Sequence, residues 1–297
     1  MHLRGNLMLL LAAFIWGTTF VAQMVGMDGL GPFTYAAARY ILGLLFLVGL
    51  WYAWRGSREG AKRAGTYRPG WKAGLGAGCI MMVATSLQQV AMLYTTPAGK
   101  TAFITALYII FVPLGAVLLG KRIHPENWAG AAMALLGLYF LSIHGAVSLS
   151  FGDGLVFISA LFWTGHILFI DRFASLVDPI ELSLTQVGVC AAGSLIAALG
   201  FETVAVQPVL NAWFAIFYGG VMSAGVAFTL QILGQKYAEP GQAAIIMSFE
   251  AVFGVLSSWL LLGERMTAVQ ILGCALMLAG MIVTQVRPLL EDRRRTS

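Results

Sequence analysis

Charged side chains are scarce in this sequence. They make up 10% of its 297 residues, whereas 59% of the residues are apolar, and the mean hydropathy is +0.82. A soluble domain is about 25% charged and about 45–50% apolar. A soluble fold of this length would leave much of its apolar surface in water, so the composition excludes one. The chain is therefore predicted to fold in lipid.

Cysteine and histidine are too few and too scattered for metal or redox chemistry. The three cysteines, Cys79, Cys190 and Cys274, lie within apolar stretches, and the motifs C-x-x-C and H-E-x-x-H do not occur. We interpret these cysteines as small packing residues. The four histidines are far apart in the chain, at His2, His124, His144 and His166. We therefore expect no metal, no cofactor and no enzymatic activity.

The sequence also lacks an ATPase signature. Residues 99–101 read GKT, as at the end of a P-loop, but Tyr94 occupies the position of the first P-loop glycine. The loops between apolar stretches are too short to hold a soluble domain. If the protein moves a solute, the energy must come from an ion gradient or from exchange of solutes.

What the chain does contain is a series of ten long apolar runs. A helix needs about 20 apolar residues to cross a bilayer, whereas the strands of membrane barrels alternate with period two. Unbroken runs such as LMLLLAAFIWGTTFVAQMV therefore predict helices. Runs 1 to 10 cover residues 6–26, 33–54, 71–93, 98–119, 126–144, 152–172, 179–201, 211–235, 241–262 and 267–286. The predicted fold is an all-α integral membrane protein with ten transmembrane helices.

Lysine and arginine predict the orientation of these helices. The loop 55–72 carries six basic residues, the short loop at Lys121 carries two, and the C-terminal tail carries several more. Basic residues remain on the cytoplasmic side of a membrane. Both termini are therefore predicted to lie in the cytoplasm, with the chain in the inner (cytoplasmic) membrane. The positive net charge reflects topology, and no nucleic-acid partner is predicted.

The second half of the chain repeats the first. Residues 117–130 read VLLGKRIHPENWAG, and residues 260–273 read LLLGERMTAVQILG, an offset of 143. Earlier in the chain the offset is 147, which aligns Trp16 with Trp163. Proline, glycine and tryptophan stay in register, so the agreement exceeds what a chain rich in leucine gives by chance.

The repeat predicts two five-helix units, residues 1–146 and residues 147–297. Because five crossings reverse the direction of the chain, the second unit must be inverted relative to the first. The charges agree with this inversion. Lys121–Arg122 is predicted on the cytoplasmic side, and its equivalent Glu264–Arg265, which has one basic residue fewer, is predicted on the outer side. Inverted repeats are typical of secondary transporters, which bind substrate where the repeats meet.

The stretch SFEAVFGVLSSWLLLGERMTAVQILGCALMLAGMIV resembles the repeated EamA-type unit of the drug/metabolite transporter superfamily. The first half is similar but departs at two positions, since Lys121 replaces the acidic residue of the G-E-R motif and Leu107 stands where the second half has Glu250. Arg39, in ARYILGLL, resembles a recurrent basic residue of the second helix of that family. The resemblance implies ten helices, a central cavity and transport of small metabolites such as amino acids, often as export.

Polar side chains in lipid-spanning helices face protein or water because exposing them to lipid is costly. Their spacing along the runs predicts a central cavity lined by six helices. The candidate substrate-binding residues are Trp16, Thr19, Gln23, Thr85, Gln88, Thr105, Tyr108, Trp163, His166, Ser223, Gln231 and Ser248. The tryptophans can wall the cavity or stack on a ligand, and simple packing is the alternative. His166 can titrate in the cavity or donate one hydrogen bond between helices.

Two charged residues are candidates for coupling or for binding charge. Glu250 lies near the middle of run 9, where it can carry a proton, hold a substrate amine or act as a structural acceptor. Arg39 can hold a substrate carboxylate, but snorkelling toward the membrane surface or pairing with an acid is the favoured interpretation.

Together these features predict a secondary transporter that exports small metabolites, such as amino acids or related amines, by alternating access. The alternatives are proton-coupled efflux of lipophilic cationic drugs, a membrane-embedded enzyme and a passive channel. The predicted partners are a small-molecule substrate, the lipid bilayer and a coupling proton. The glycines of runs 5 and 10 predict close helix contacts, either within the chain or across a homodimer.

Overall fold

The computed structural model of the chain describes residues 2–26, 29–94, 98–142, 150–262 and 266–296. In these residues the regular secondary structure is helical, and they contain no strand. Each of the ten predicted runs is mostly helical over the residues described, and some runs are divided by a turn. Glu264–Arg265 and His144 lie outside the described residues, as does part of the loop before run 4.

The first half of the chain forms the helices α1 to α7. Their bounds are α1 His2–Gly26, α2 Pro32–Ala53, α3 Arg55–Arg63, α4 Trp71–Ala91, α5 Ala98–Thr105, α6 Tyr108–Leu118 and α7 Pro125–Ser142. The short helix α3 was not predicted, because it carries no apolar periodicity and lies in the basic loop.

The second half forms α8 to α15, with one segment of π-helix. The bounds are α8 Phe151–Phe173, α9 Pro179–Phe201, α10 Val206–Asn211, α11 Trp213–Phe217, the π-helix Tyr218–Ala227, α12 Phe228–Gln235, α13 Pro240–Met247, α14 Phe249–Leu262 and α15 Ala268–Thr296.

By length and composition, six helical segments of the described chain can cross a membrane. They are Pro32–Ala53, Trp71–Ala91, Phe151–Phe173, Pro179–Phe201, Trp213–Gln235 and Pro240–Leu261. Shorter apolar helices cover Leu3–Thr19, Phe103–Leu118 and Ala268–Thr284. The protein is therefore an all-helical, multi-pass membrane protein.

Local sequence signals mark where these helices begin. Ser150 and Asp153 form a capping box at the start of α8, each side chain accepting a hydrogen bond from the backbone N–H of the other. The carboxylate of Asp178 accepts the backbone N–H of Glu181 at 2.8 Å and caps α9. Proline opens α2, α9 and α13, where its missing N–H costs nothing. These signals fix the first residues of the helices.

The helices pack in pairs around the centre of the molecule. α2 packs along α9 and against the π-helix, and α4 packs between α8 and α9. α1 contacts α12, α14 and the π-helix, while α5 and α6 contact α8. α7 and α15 pair along one side. This arrangement leaves the middle of the molecule bounded by helices from both halves of the chain.

Glycines permit the contact between α7 and α15. A Cβ at Gly130 would lie 2.6 Å from the carbonyl oxygen of Gly280, and a Cβ at Gly137 would lie 2.5 Å from that of Gly273. Both approaches are too close for any side chain, so the two backbones touch. Because the earlier glycine of α7 faces the later glycine of α15, the helices run antiparallel. The glycines thus make contacts within the chain, which removes them as an argument for a homodimer.

Within the described residues, three interruptions break the regular α-helix of the candidate membrane spans. α5 and α6 are separated by the turn at residues 106–107, and α13 and α14 by a turn at Ser248. With the offset of 143, Thr105 is equivalent to Ser248, so the two breaks occupy matching places in the repeats. The third interruption is the π-helix, a conformation that is rare and often found at functional sites.

Polar contacts join helices at the ends of the molecule. The Glu202 carboxylate accepts the backbone N–H groups of Phe33 and Thr34, at 2.8 and 2.7 Å, and so caps α2. At the opposite end, where α6 finishes, Lys121 pairs with Asp171 of α8. In the loop before α4, burial and the Glu181 carboxylate raise the pKa of Tyr67 to about 12. Its hydroxyl therefore stays protonated at neutral pH and donates to Glu181 at 3.0 Å.

Candidate functional site

A cavity lies at the centre of the molecule, between helices of the two halves. Its walls come from α1, α2, α4, α5 and α6 in the first half and from α8, the π-helix, α12, α13 and α14 in the second. The lining residues are Trp16, Thr19, Gln23, Arg39, Tyr40, Thr85, Gln88, Thr105, Tyr108, Trp163, Ile167, Ser223, Phe228, Gln231, Met247 and Glu250. Both interrupted helices and the π-helix contribute to this lining.

Three aromatic rings form one wall of the cavity. The ring of Phe228 lies 5.0 Å from that of Trp16 and 6.2 Å from that of Trp163, nearly parallel to the latter. The two tryptophans occupy equivalent positions in the repeats, so the wall is built from both halves. Aromatic faces of this kind bind apolar or cationic groups of a ligand.

Amides and hydroxyls line the cavity between the aromatic and charged groups. The Gln88 side chain donates to the hydroxyl of Thr105 at 3.0 Å and links α4 to α5. The hydroxyls of Thr19 and Thr85 donate to the carbonyl four residues earlier in their own helices, at 2.6 and 2.9 Å. These hydroxyls keep lone pairs that can still accept a hydrogen bond. The Gln231 side-chain oxygen is buried and has no hydrogen-bond partner among the described residues.

Glu250 brings a carboxyl group to the cavity. It lies in the first turn of α14, directly after the turn at Ser248, and an acidic side chain is stabilised at that end of a helix. Its oxygen Oε1 accepts a hydrogen bond of 3.2 Å from the hydroxyl of Tyr108. Among the described residues, no lysine, arginine or histidine nitrogen lies within 4 Å of it.

Arg39 brings a positive charge to the same cavity. Its side chain is buried on α2, with 6% of the residue exposed. The guanidinium lies 4.6 Å from the ring centre of Tyr40 and 5.7 Å from that of Tyr35. One nitrogen donates to the Tyr40 hydroxyl at 3.0 Å.

The predicted site residues line the cavity, except for His166 and Ser248. His166 is fully buried behind the cavity wall, where its Nε2 is 3.1 Å from the side-chain oxygen of Gln186 on α9. The neighbouring residue Ile167 lies four positions after Trp163 and faces the cavity instead. Ser248 is also fully buried, and its hydroxyl donates to the carbonyl of Ile245 at 2.7 Å within the turn. Both polar side chains make their recorded hydrogen bonds away from the cavity.

Four lining residues were not predicted: Tyr40, Ile167, Phe228 and Met247. Each is aromatic or apolar, so the search for polar residues passed over them. The helical spacing could have indicated two of them, because Ile167 follows Trp163 by four residues and Phe228 precedes Gln231 by three.

These groups suit the binding of a small molecule that has both polar and apolar parts. The cavity offers charges of both signs, amides, hydroxyls and aromatic faces, which is the usual mixture in small-molecule sites. Among the described residues, no group of three or more histidine, cysteine or acidic side chains is placed to hold a metal ion. An all-helical membrane protein with a central cavity of this kind has the features of a small-molecule transporter.

Comparison with known proteins identifies the family. The sequence profile of the EamA-like transporter family matches residues 3–143 and again residues 150–285, and the chain belongs to that family. The profile therefore covers nearly the whole protein. The family consists of transporters, not enzymes, which agrees with the predicted absence of enzymatic activity.

Individual relatives are also transporters. An uncharacterized transporter of Archaeoglobus fulgidus is 30% identical over 96% of this chain and 87% of its own length. A probable amino-acid metabolite efflux pump of Escherichia coli is 25% identical over 95% of both chains. A solved crystal structure with 22% identity superposes with a TM-score of 0.76, over 94% of this chain and 95% of its own, and so shares the fold.

Proposed function

We propose that the protein is a secondary transporter that exports small metabolites, such as amino acids, from the cytoplasm by alternating access. The observation that carries the proposal is the central cavity, whose walls hold Arg39, Glu250 and the pair Trp16 and Trp163. Such a set suits a molecule with charged and apolar parts, and packing alone does not require the two charged side chains. The Escherichia coli relative, described as a probable amino-acid metabolite efflux pump, supports the same substrate class and direction.

The proposed architecture is ten transmembrane helices in two inverted units, residues 1–146 and residues 147–297. The double match of the family profile supports the two units. The glycine contacts support their inversion, since α7 and α15 are equivalent helices and run antiparallel. Under the repeat, the contact between Gly130 and Gly280 is equivalent to that between Gly273 and Gly137, as a two-fold relation requires.

The pattern of helix contacts supports the same arrangement. α4 packs on α8 and α9, and its equivalent, the π-helix with α12, packs on α1 and α2. α14 packs on α1, and its equivalent α6 packs on α8. Each half therefore makes the same contacts to the other, so the two halves can exchange conformations and open the cavity to one side at a time.

Localisation follows from the same topology. Relatives include an uncharacterized inner membrane transporter of Escherichia coli, 23% identical over 91% of this chain. With the basic loops on the cytoplasmic side, we place the protein in the cytoplasmic membrane with both termini inside.

Efflux of lipophilic cations is the less favoured function. Glu250 and the tryptophans would suit a cation, but Arg39 lines the same cavity and repels one. Glu250 is then either the partner of a substrate amine or the carrier of a coupling proton.

The test begins with a thermal-shift screen of the purified protein against amino acids, amines, nucleosides and sugars. A ligand that binds the folded state raises its melting temperature. The best ligand is then used in counterflow with reconstituted proteoliposomes, which measures carrier-type exchange. We expect Trp163→Ala to reduce counterflow at least about tenfold, because truncating a buried aromatic contact costs about 2 kcal/mol or more.

The matched control is Trp259→Ala. Trp259 lies on α14 with 48% of its surface exposed and does not line the cavity, so this variant should exchange like the unmodified protein. Equal loss in both variants, or no ligand-specific exchange by the unmodified protein, would contradict the proposed transport function.

A further inference from the structure

Arg39 is a buried cation without an acidic partner. No carboxylate of the described residues lies within 4 Å of its guanidinium, and its Nε is buried without a hydrogen-bond acceptor. A guanidinium has five N–H donors and does not lose its proton in proteins. Among the described residues, one of these donors makes a hydrogen bond, to the hydroxyl of Tyr40. The positive charge is therefore permanent, and the protein leaves most of it uncompensated.

Snorkelling, the interpretation favoured from the sequence, does not describe this side chain. A snorkelling arginine extends its guanidinium toward the membrane surface. Arg39 instead lines the central cavity, with 6% of the residue exposed. Pairing with an acid, the other structural interpretation, is not found in the described part of the chain either.

The surroundings fix the guanidinium in place. The rings of Tyr35 and Tyr40 lie against it, and the start of the π-helix packs close by. A Cβ at Gly219 would lie 3.5 Å from the Arg39 side chain and 3.0 Å from the Tyr35 hydroxyl, and one at Gly220 would lie 2.6 Å from the Arg39 carbonyl oxygen. Glycines thus allow the π-helix to approach α2 where the charge lies. A charge held in this way is positioned before any ligand arrives.

The second half of the chain gives a comparison. With the offset of 147, Arg39 is equivalent to Gln186 and Thr19 to His166. Gln186 and His166 are both fully buried, and the Nε2 of His166 lies 3.1 Å from the side-chain oxygen of Gln186. The Nδ1 of His166 and the Nε2 of Gln186 have no partner among the described residues, but neither side chain carries a permanent charge. At the equivalent place in the first half, a charged side chain faces the cavity and has no such partner. The fold at this position therefore needs no charge, and the charge of Arg39 has another use.

We propose that Arg39 binds the carboxylate of the transported molecule, which limits the substrates to amino acids and related organic acids. This inference rests on the proposed transport function and makes it narrower, because it excludes amines that have no carboxylate. The planar guanidinium matches a carboxylate with two parallel hydrogen bonds. An amino group on the same substrate can approach Glu250, which supplies the opposite charge in the cavity.

The experiment compares ligands that differ only at the carboxylate. The melting temperature of the purified protein is titrated with each common amino acid, with the corresponding amide and with the corresponding decarboxylated amine. Sodium acetate and sodium chloride are titrated alone, because a small anion could be the partner of Arg39 instead. We expect at least one amino acid to bind about tenfold tighter or more than its amide and its amine.

Variants then assign the difference to Arg39. In Arg39→Gln the preference for the acid over the amide should fall below about twofold, and Arg39→Lys, which keeps the charge and loses the paired donors, should show an intermediate preference. If Arg39→Gln does not fold, the lysine variant still carries the test. Arg58→Gln is the control, because Arg58 is also buried against an aromatic ring, at 4.1 Å from the centre of the Trp51 ring, but lies in α3 away from the cavity.

The outcomes separate the two proposals. Amines or amides that bind as well as the acids, or a preference unchanged in Arg39→Gln and Arg39→Lys, would overturn the carboxylate site and leave transport standing. Stabilisation by chloride or acetate as strong as by any amino acid would show a counter-ion site and also overturn it. Failure of every compound in all three sets to bind contradicts both proposals.

Discussion

Two side chains of opposite charge face the same cavity, and neither has a charged partner within 4 Å among the described residues. Arg39 is held by tyrosine rings and Glu250 by one tyrosine hydroxyl. An unpaired buried charge destabilises a fold. The buried charge of Arg39, with the carboxyl group of Glu250 in the same cavity, therefore indicates that the cavity is shaped for ligands. Of the two, only Glu250 can release or take up a proton.

Glu250→Gln tests whether this carboxyl group carries the coupling proton. We expect the variant to lose accumulation driven by a proton gradient, because an amide cannot exchange a proton, while counterflow of a zwitterionic ligand continues. Both are measured in proteoliposomes, with and without an imposed pH gradient. Glu59→Gln is the control, since Glu59 lies in α3, does not line the cavity and has 54% of its side chain exposed. Gradient-driven accumulation that survives in Glu250→Gln would assign the proton, if there is one, to another group.

The sequence predicted most of the cavity at this scale because polar groups in lipid must turn inward. The same reasoning could not tell a ligand contact from a hydrogen bond between two helices. His166 was placed in the cavity for its polarity, yet it is fully buried and its Nε2 contacts Gln186 on α9, and that contact depends on tertiary packing. Phe228 was missed for the converse reason, since an apolar residue gives no signal in an apolar run.

At the scale of the elements, apolar runs and prolines predicted where helices lie but not where they are interrupted. The turns between α5 and α6 and between α13 and α14 fall inside continuous apolar sequence. The π-helix likewise has no composition that distinguishes it from α-helix. These features arise where helices pack around the cavity, and a single run does not contain that information. Matching interruptions in two repeats are the best indication of a transporter binding site.

Gly137→Ala tests the contact between α7 and α15. A Cβ there would lie 2.5 Å from the Gly273 carbonyl oxygen, which is backbone and cannot turn away. We expect a loss of stability of about 1–3 kcal/mol, as for overpacking in a protein interior, measured as a lower melting temperature in detergent. Gly200→Ala is the control, because a Cβ at Gly200 of α9 meets nothing within 4 Å. That variant should match or exceed the stability of the unmodified protein, since alanine favours helix over glycine. Equal melting temperatures for Gly137→Ala and Gly200→Ala would contradict the prediction.

At the scale of the whole molecule, polar contacts join the two halves at one end of the helix bundle. Lys121 and Asp171 pair across α6 and α8, and the Asn127 side chain donates to Glu239 at 2.9 Å. These contacts lie where α6 and α8 finish and where α7 and α13 begin. An alternating-access cycle must break them, while the apolar pairs α2 with α9 and α7 with α15 can stay packed. Polar contacts at the ends and apolar contacts along the sides suit a protein that opens at one end at a time.

The inverted arrangement is the premise of that cycle, and single cysteines can test it. In a variant with Cys79, Cys190 and Cys274 replaced by serine, one new cysteine is placed at Lys121 and another, in a separate protein, at Thr267. Thr267 lies at the start of α15, three residues after Glu264, the repeat equivalent of Lys121, and its surface is exposed.

In intact cells, an impermeant maleimide should label the cysteine at Thr267 and leave the cysteine at Lys121 unmodified until the cells are opened. Each crossing reverses the chain, so an odd five-helix unit puts equivalent loops on opposite sides of the membrane. Labelling of both positions from the same side would mean that the two units are parallel, and the exchange of conformations between inverted halves could then not occur.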